Sequence, residues 1–451
     1  EVCKGFTPFE EGDVLLAKIT PCMENGKAAV ASGLKNGLGA GTTELHVIRP
    51  LGGINPFYLY HFLHQDAFRR LAVRSMTGAV GQARVPVSFV EDTEVPVPPL
   101  QEQHRIVAKL DAVFGLMSIS HTRLEKVPNI LKRFRQAVLA AACSGRMTED
   151  WRASHTNVES GQQLLARMSG VRAGIAGAKK KSDVRANSAD VDAFEVPATW
   201  ALVRPDDIAA PERHALAIGP FGSNLKVSDY SASGVPLVFV RHIRSGDFRG
   251  GNPKFVSAAK AKELAAHRIA PLDLLITKMG EPPGDCEIYP ANLPEAVITA
   301  DCIKFRVWDK HVERLFIKHT INSNVIKSQL GVLTKGVAQQ KISLERFKTV
   351  LFPLPPAAEQ KEIVRRVEAM FKLADRIEAR YNVAAESVDQ LTQSILAMAF
   401  RGELVPQDVF GDLPIINEIE NSLGHPGDSL LRLVGIRVIG QQIFERVSGI
   451  I

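Results

Sequence analysis

The chain has 451 residues, 45% of them hydrophobic, with a mean hydropathy near zero, which is material for about two to four water-compatible domains. No apolar run approaches the roughly 20 residues of a membrane helix, and no signal peptide opens the chain. A net charge of +6 and a pI near 9.0 permit a polyanion partner without demanding one. Cys3, Cys22, Cys143, Cys286 and Cys302 are odd in number and scattered, with no CxxC or zinc-like spacing, so they read as reduced thiols of a cytoplasmic protein.

Residues 1–99 read as a mixed α/β domain. Strands are expected at Gly12–Lys18 and Glu44–Ile48, a helix over Pro56–Leu71, and a stiff extended exit at Val95–Pro99. Gly37–Gly41 reads as a mobile turn, because a strand rather than a helix follows it. Residues 100–148 form the first long-helix region, with its stripe at Ile106, Leu110, Phe114, Met117 and Leu124. Pro128 should break that helix near Val127, and Gly145 should end it. Residues 149–193 read as a linker, small and basic around Gly170–Ser182. Residues 194–356 form a second α/β domain, with strands near Leu237–Val240, Leu274–Ile276 and Cys302–Phe305. A second long helix fills 357–407, striped by Ile363, Val367, Phe371, Ile377 and Tyr381. The tail, 408–451, matches nothing earlier. The chain opens on Glu1, directly in what reads as domain interior, and this suggests a partial chain.

The most informative pattern is an internal repeat. Pro98-Pro99-Leu100-Gln101-Glu102-Gln103-His104-Arg105-Ile106-Val107 returns, with six identities, as Pro355-Pro356-Ala357-Ala358-Glu359-Gln360-Lys361-Glu362-Ile363-Val364, an offset of 257 (355 less 98). The same offset carries Gln136, Leu139, Ala142 and Gly145 onto Gln393, Leu396, Ala399 and Gly402, and Gln82 and Arg84 onto Gln339 and Lys341. Solenoid units run roughly 20–50 residues, so this is a duplicated domain-plus-helix module. Two matching apolar stripes, each too long for one small domain to cover, are expected to pack antiparallel. They would then hold the two domains apart on the order of 60 Å, at 1.5 Å per helical residue.

The sequence carries no Walker loop. Asp273 and Lys278 resemble the acid and lysine of a metal nuclease, but Ile276 and Leu16 stand where a second metal-binding carboxylate belongs. No Asn-Pro-Pro-aromatic pattern for methyl transfer occurs. What remains is polar readout chemistry, since Arg, Lys, Gln and Asn side chains pair with base edges and phosphates. The candidates are Lys18, Gln82 and Arg84 in the first domain. In the second they are Ser223, Asn224, Lys226, Arg241, His242, Arg244, Lys278, Gln339, Gln340 and Lys341. Each could also be an ordinary surface residue.

Phe6-Thr7-Pro8-Phe9, Gly39-Ala40-Gly41-Thr42-Thr43-Glu44, the two Pro-Pro-x-x-Glu-Gln-x-x-Ile-Val entries, and Pro197…Trp200 with Gly219-Pro220-Phe221-Gly222-Ser223 follow in an order that resembles the specificity (S) subunit of type I restriction–modification systems. The resemblance covers most of residues 5–407. It implies an α+β fold: two mixed α/β target-recognition domains separated by two long helices forming an antiparallel coiled-coil spacer. It implies partners as well, namely double-stranded DNA, methylation (M) subunits and a restriction (R) subunit. Catalysis, with S-adenosylmethionine, ATP and Mg, would belong to those partner subunits, leaving this chain non-catalytic and without a bound cofactor. The chain departs from the pattern in that residues 194–257 have no counterpart before Glu1. A DNA-independent coiled-coil scaffold, an inactive truncated S subunit and a stand-alone enzyme are the alternatives.

Overall fold

The computed structural model describes residues 5–79, 81–175, 194–280, 283–334 and 341–406. The chain divides into two compact units, the first made of Glu1–Val127 with Arg380–Ile451 and the second of Pro128–Ala379.

In the first unit β1 (Thr7–Glu10) pairs antiparallel with β4 (Leu38–Gly41), and β2 (Val14–Ala17) lies between β3 (Ala28–Val30) and β5 (Leu45–Ile48). The helices α1 (Pro56–Leu63), α2 (Asp66–Ser75), α3 (Val87–Glu91) and α4 (Leu100–Leu124) follow. The helix expected over Pro56–Leu71 is therefore two helices, with His64 capping the first and Gln65 entering the second. The core gathers Val14, Leu16, Tyr58, Phe62, Ile106 and Leu110 with Leu396 and Ala399.

The second unit begins with α5 (Val127–Cys143), α6 (Glu149–Ser154) and α7 (Gly161–Ile175). It continues through β6 (Ala201–Val203), α8 (Pro205–Ile208), β7 (Leu216–Ile218), β8 (Tyr230–Ser231), β9 (Val235–Val238), α9 (Val240–Ser245), β10 (Phe255–Val256) and α10 (Ala258–Glu263). Then come β11 (Arg268–Ile269), β12 (Leu274–Thr277), β13 (Cys286–Ile288), β14 (Ala296–Ile298), β15 (Cys302–Phe305), α11 (Arg314–Asn322), α12 (Asn324–Leu333), α13 (Leu344–Phe347) and β16 (Phe352–Leu354). The last helix, α14 (Ala357–Phe400), belongs to this unit through Ala379 and to the first unit from Arg380.

The repeat is visible strand by strand. The order β13-β12-β15 repeats β3-β2-β5, and the β11-β14 pair repeats β1-β4. The second unit adds strands from residues 201–256. There β7 pairs with the far edge of β15, β9 runs parallel beside β14, and β6 pairs with β16.

Both units fasten their helices in the same way. Gln103 accepts from the backbone N–H of Asn55, the residue capping α1, at 2.8 Å and donates to the carbonyls of Gly53 and Pro98. Gln360, its repeat partner, accepts from the N–H of Glu313 at the start of α11 at 2.7 Å and donates to Pro355. Further along each module, Gln393 of α14 accepts from Asp66 N–H at 2.8 Å, and Gln136 of α5 donates to the Asn322 carbonyl at 3.3 Å. Buried backbone polar groups require partners, and the repeated glutamines supply them. The Pro-Pro-x-x-Glu-Gln pattern is therefore an architectural clamp. Its Glu359, fully buried, accepts from Thr148 Oγ1 at 2.6 Å, the Arg152 guanidinium at 2.6 Å and Trp200 Nε1 at 2.9 Å.

The proline break is where the sequence put it. Leu100–Leu124 ends, and α5 starts at Val127 with Pro128 in its first turn, where the missing N–H costs nothing. Gly145 and Gly402 end the two modules at φ 74° and 75°, a conformation that glycine adopts without a Cβ penalty.

Three expectations need correction. The linker 149–193 contains two helices, α6 and α7, and Leu164 and Met168 of α7 are fully buried in the second core because they lie four apart on one face; residues 176–193 lie outside the described residues. Gly37–Gly41 is not a mobile turn but enters strand β4, where a Cβ on Gly39 would collide with the Phe9 ring. The apolar stripes are buried chiefly where they meet a globular core. Ile106, Leu110, Ile363 and Val367 are buried there, Phe114 and Phe371 pack at the edges, Met117, Leu124 and Tyr381 are half-buried, and Ile377 is exposed. Within the second unit the helices do run antiparallel, since Arg135 pairs with Asp375 and Glu378 whereas Thr148, further along, meets Glu359.

Candidate nucleic-acid interface

One arrangement of charged groups occurs twice. In the first unit the chain leaves β2 at Lys18, whose N–H donates to the Glu44 carbonyl at 3.0 Å and whose own carbonyl accepts from Val85 N–H at 2.9 Å. Arg84 lies beside it and grips Glu44 bidentately at 2.8 and 2.9 Å. That ion pair lowers the Glu44 carboxyl below its usual range, through the Arg84 hydrogen bond first. In the second unit Lys278 N–H donates to Asp301 at 2.8 Å, the Lys278 carbonyl accepts from Ile342 N–H at 3.0 Å, and Lys341 Nζ lies 3.7 Å from the Asp301 carboxylate. Lys–Glu–Arg and Lys–Asp–Lys thus stand at the same corner of the two sheets. The backbone ladder fixes each corner, and each corner pairs one basic side chain with its carboxylate, Arg84 with Glu44 and Lys341 with Asp301.

In the second unit this corner widens into a basic rim. Lys278 Nζ sits 5.5 Å from the ring centre of Phe221, which is 65% exposed, too open for a core aromatic. Ser223, Asn224 and Lys226 follow Phe221 in the same exposed loop. Arg244 donates to the Met279 carbonyl at 3.0 Å and to Asp285 at 3.3 Å, and Lys327 reaches the other Asp285 oxygen at 2.8 Å. Arg244, Asp285 and Lys327 also line a cleft of about 560 Å³ together with Lys132, Arg133, Gln136 and Asn324. Arg241 is exposed and lies flat over Phe239, 4.5 Å from its centre.

The other candidates fall elsewhere. Gln82 is exposed in the turn before Arg84. Gln339 and Gln340 lie outside the described residues. His242 is not a surface donor: it is 5% exposed, its Nδ1 accepts from Phe239 N–H at 3.3 Å, and burial lowers its pKa, so it is a neutral core histidine. Arg84 is committed to Glu44 and the Gln82 carbonyl, which makes it a rigid rather than a free cation. Sequence reasoning missed Phe221, Glu44, Asp301, Asp285 and Lys327. The offset of 257 relates Glu44 to Asp301 and could have revealed that pair.

The nuclease-like acid is occupied structurally. Asp273 is 2% exposed and takes two hydrogen bonds from Arg306, at 2.6 and 2.7 Å. Asp13 repeats the arrangement with Arg49, both at 2.9 Å, and the guanidinium holds its carboxyl below the usual range. Among the described residues no cluster of His, Cys, Asp and Glu is placed to hold a metal ion, and no helix is long and apolar enough to cross a membrane. The basic rim offers hydrogen-bond donors and positive charge around an exposed aromatic, which is binding chemistry.

The family model for the type I restriction modification DNA specificity domain matches residues 3–129 and 278–386. These stretches hold the repeated corners, Lys18–Glu44–Arg84 and Lys278–Asp301–Lys341. The chain belongs to this family. The specificity subunit of the type I restriction enzyme EcoKI from Escherichia coli (strain K12) is 30% identical over 377 residues, spanning 80% of this chain and 68% of that protein. That of EcoBI, also from Escherichia coli, is 30% identical over 338 residues. The chain spans only 64% of the EcoBI subunit's length. In fold, this member of the specificity family is similar to a solved type I R-M system chain (TM-score 0.58, 20% identity, 88% of this chain and 84% of that one). It is also similar to the HsdS subunit from Thermoanaerobacter tengcongensis (TM-score 0.50, 20% identity, 88% and 82%).

Proposed function

We propose that this chain is the DNA sequence-recognition subunit of a type I restriction–modification complex in the cytoplasm and reads a bipartite double-stranded site, one half per unit. The observation that carries the reading is the duplicated basic corner in a chain of the specificity family. Lysine and arginine at a fixed corner position the phosphates, and polar side chains in the flanking loops read base edges. The long helices dock methylation subunits, and the assembly recruits a restriction subunit. Exposed Met370, Leu373 and Ile377 on α14 support such docking, because three large apolar side chains at spacings of three and four form one uncovered helix face. The chain binds no cofactor and performs no catalysis, and S-adenosylmethionine, ATP and Mg are used by the partners.

The test is selection from a random duplex library by the chain assembled with type I methylation subunits. Enrichment of one split site is expected, with affinity falling steeply as salt rises, because phosphate contacts release counterions. Equal retention of all sequences would overturn the reading in favour of a scaffold. Turnover by the purified chain alone, with Mg or S-adenosylmethionine, would overturn the non-catalytic assignment.

A further inference from the structure

A second basic site is duplicated beside the corners. The offset of 257 carries Arg70 of α2 onto Lys327 of α12, and Gln136 of α5 onto Gln393 of α14. A charged cleft lies at each place. In the second unit it encloses about 560 Å³, and Lys132 and Arg133 of α5, Arg244 of α9 and Lys327 of α12 line it around one acid, Asp285. In the first unit it encloses about 360 Å³ and is lined by Arg69, Arg70 and Arg74 of α2 with Glu24 and Asp66.

The acids do not neutralise these clefts. Arg244 and Lys327 share Asp285, one on each carboxylate oxygen, at 3.3 and 2.8 Å. Lys132 and Arg133 are exposed, and among the described residues neither pairs with a carboxylate. In the first unit Arg69 takes Asp66. Arg70 and Arg74 are exposed, stand four apart on one face of α2, and among the described residues pair with no carboxylate. Like charges at that spacing disfavour the bare helix, and a bound anion relieves them. Both clefts lie at the first turn of a ten-residue helix, the end that favours negative charge. The long helices hold them in place, because Gln136 donates to the Asn322 carbonyl just before α12 and Gln393 accepts from Asp66 N–H.

Each cleft is continuous with its corner. Arg244 donates both to the Met279 carbonyl, next to Lys278, at 3.0 Å and to Asp285 in the cleft. In the first unit the loop that follows Lys18 brings Glu24 to the cleft and lays Gly26 against Arg69, where a Cβ would sit 3.2 Å from Nη1. A duplex carries a phosphate charge about every 1.7 Å of its axis, so a backbone seated on a corner lysine runs on past the neighbouring cations.

We propose that these clefts take the DNA phosphates adjoining those held at the corners, through Lys132 and Arg133 in the second unit and Arg70 and Arg74 in the first. The proposal rests on the DNA-recognition reading and adds helices α5 and α2 to the DNA-contacting surface. The contacts strengthen binding without choosing a sequence, because every duplex presents the same phosphates.

The test uses the full chain assembled with type I methylation subunits and a duplex holding the split site that the assembly selects. Lys132→Ala with Arg133→Ala, and separately Arg70→Ala with Arg74→Ala, should each flatten log affinity against log salt by about 2 for every sequence. The selected site should not change. Lys132→Arg with Arg133→Lys keeps the charge and should keep the wild-type slope. In ethylation interference, each alanine pair should lose interference at phosphates other than those lost on Lys341→Ala. A wild-type slope in either alanine pair overturns the proposal for that unit, and a changed site overturns it by making these residues base readers. Loss of assembly with the methylation subunits also overturns it, since the cleft would then grip a protein. A wild-type assembly that selects no site overturns the DNA-recognition reading itself, whereas selection with unaltered slopes overturns this proposal alone.

Discussion

Lys341 faces the Asp301 carboxylate, Lys278 is tied to Asp301 through its backbone N–H, and neither lysine is buried. Each is expected to contact one phosphate. Lys278→Ala or Lys341→Ala should weaken DNA binding by a similar factor for all sequences and reduce the slope of log affinity against log salt by about 1, read from filter binding across a salt series. A sequence-dependent loss would instead mark that lysine as a base reader. The histidines predict a pH response. Burial lowers His46, His61 and His64 in the first unit below their usual value near 6.5, and the hydrogen bonds their rings donate to the Val85 carbonyl, the Asp111 carboxylate and the Tyr60 carbonyl oppose the shift only in part. Because the folded values lie below the unfolded ones, the unfolded chain takes up protons first as pH falls. Stability is therefore full above about pH 7 and is lost as pH drops through 6.5 and below. Thermal melts at pH 7.5 and 5.5 should show a lower midpoint at the acid end.

At the scale of elements, the glutamine clamps decide how helices seat on sheets. Gln360→Ala would leave the Glu313 N–H and the Pro355 carbonyl without partners in a buried site, at a cost of about 2–3 kcal/mol, measurable by denaturant unfolding. Gln360→Glu should fare no better, since it keeps the acceptor and loses the donor. Helix α4 shows the limit of periodicity. Its stripe was legible from Ile106 to Leu124, but burial stops near Phe114, and Leu116 and Ile119 are 68% and 53% exposed. Spacing identifies the face a helix could bury. What reaches that face is a matter of which other elements lie beside it.

At the scale of the molecule, α14 is a single unbroken helix of 44 residues, roughly 66 Å at 1.5 Å per residue, and it contributes to both units. A continuous helix is stiff along its axis, because it cannot be compressed without breaking its hydrogen bonds. Deleting one heptad from each long helix removes roughly 10 Å. In the assembled complex this should shorten the preferred gap between half-sites by about three base pairs, at 3.4 Å each, or abolish assembly. Methylation mapping on a series of gapped duplexes reads the result, and an unchanged gap would refute a spacing role.

The sequence by itself determined the duplication, the two long helices with their proline break and glycine stops, and the central strands. These follow from local rules: apolar period, proline's missing N–H, and glycine's left-handed φ at Gly145 and Gly402. The offset of 257 also pointed to Arg84 and Lys341, because corresponding positions in duplicated folds meet the same neighbours. Only the tertiary structure decided what each polar side chain does. Arg84 and Arg244 sit against carboxylates, His242 is core, and the helix α7 within the expected linker packs under the second sheet. The reason is physical. Secondary structure answers to residues within a few positions of one another, whereas ion pairing and burial depend on groups brought together from distant parts of the chain, as Lys341 is to Asp301 and Arg306 to Asp273.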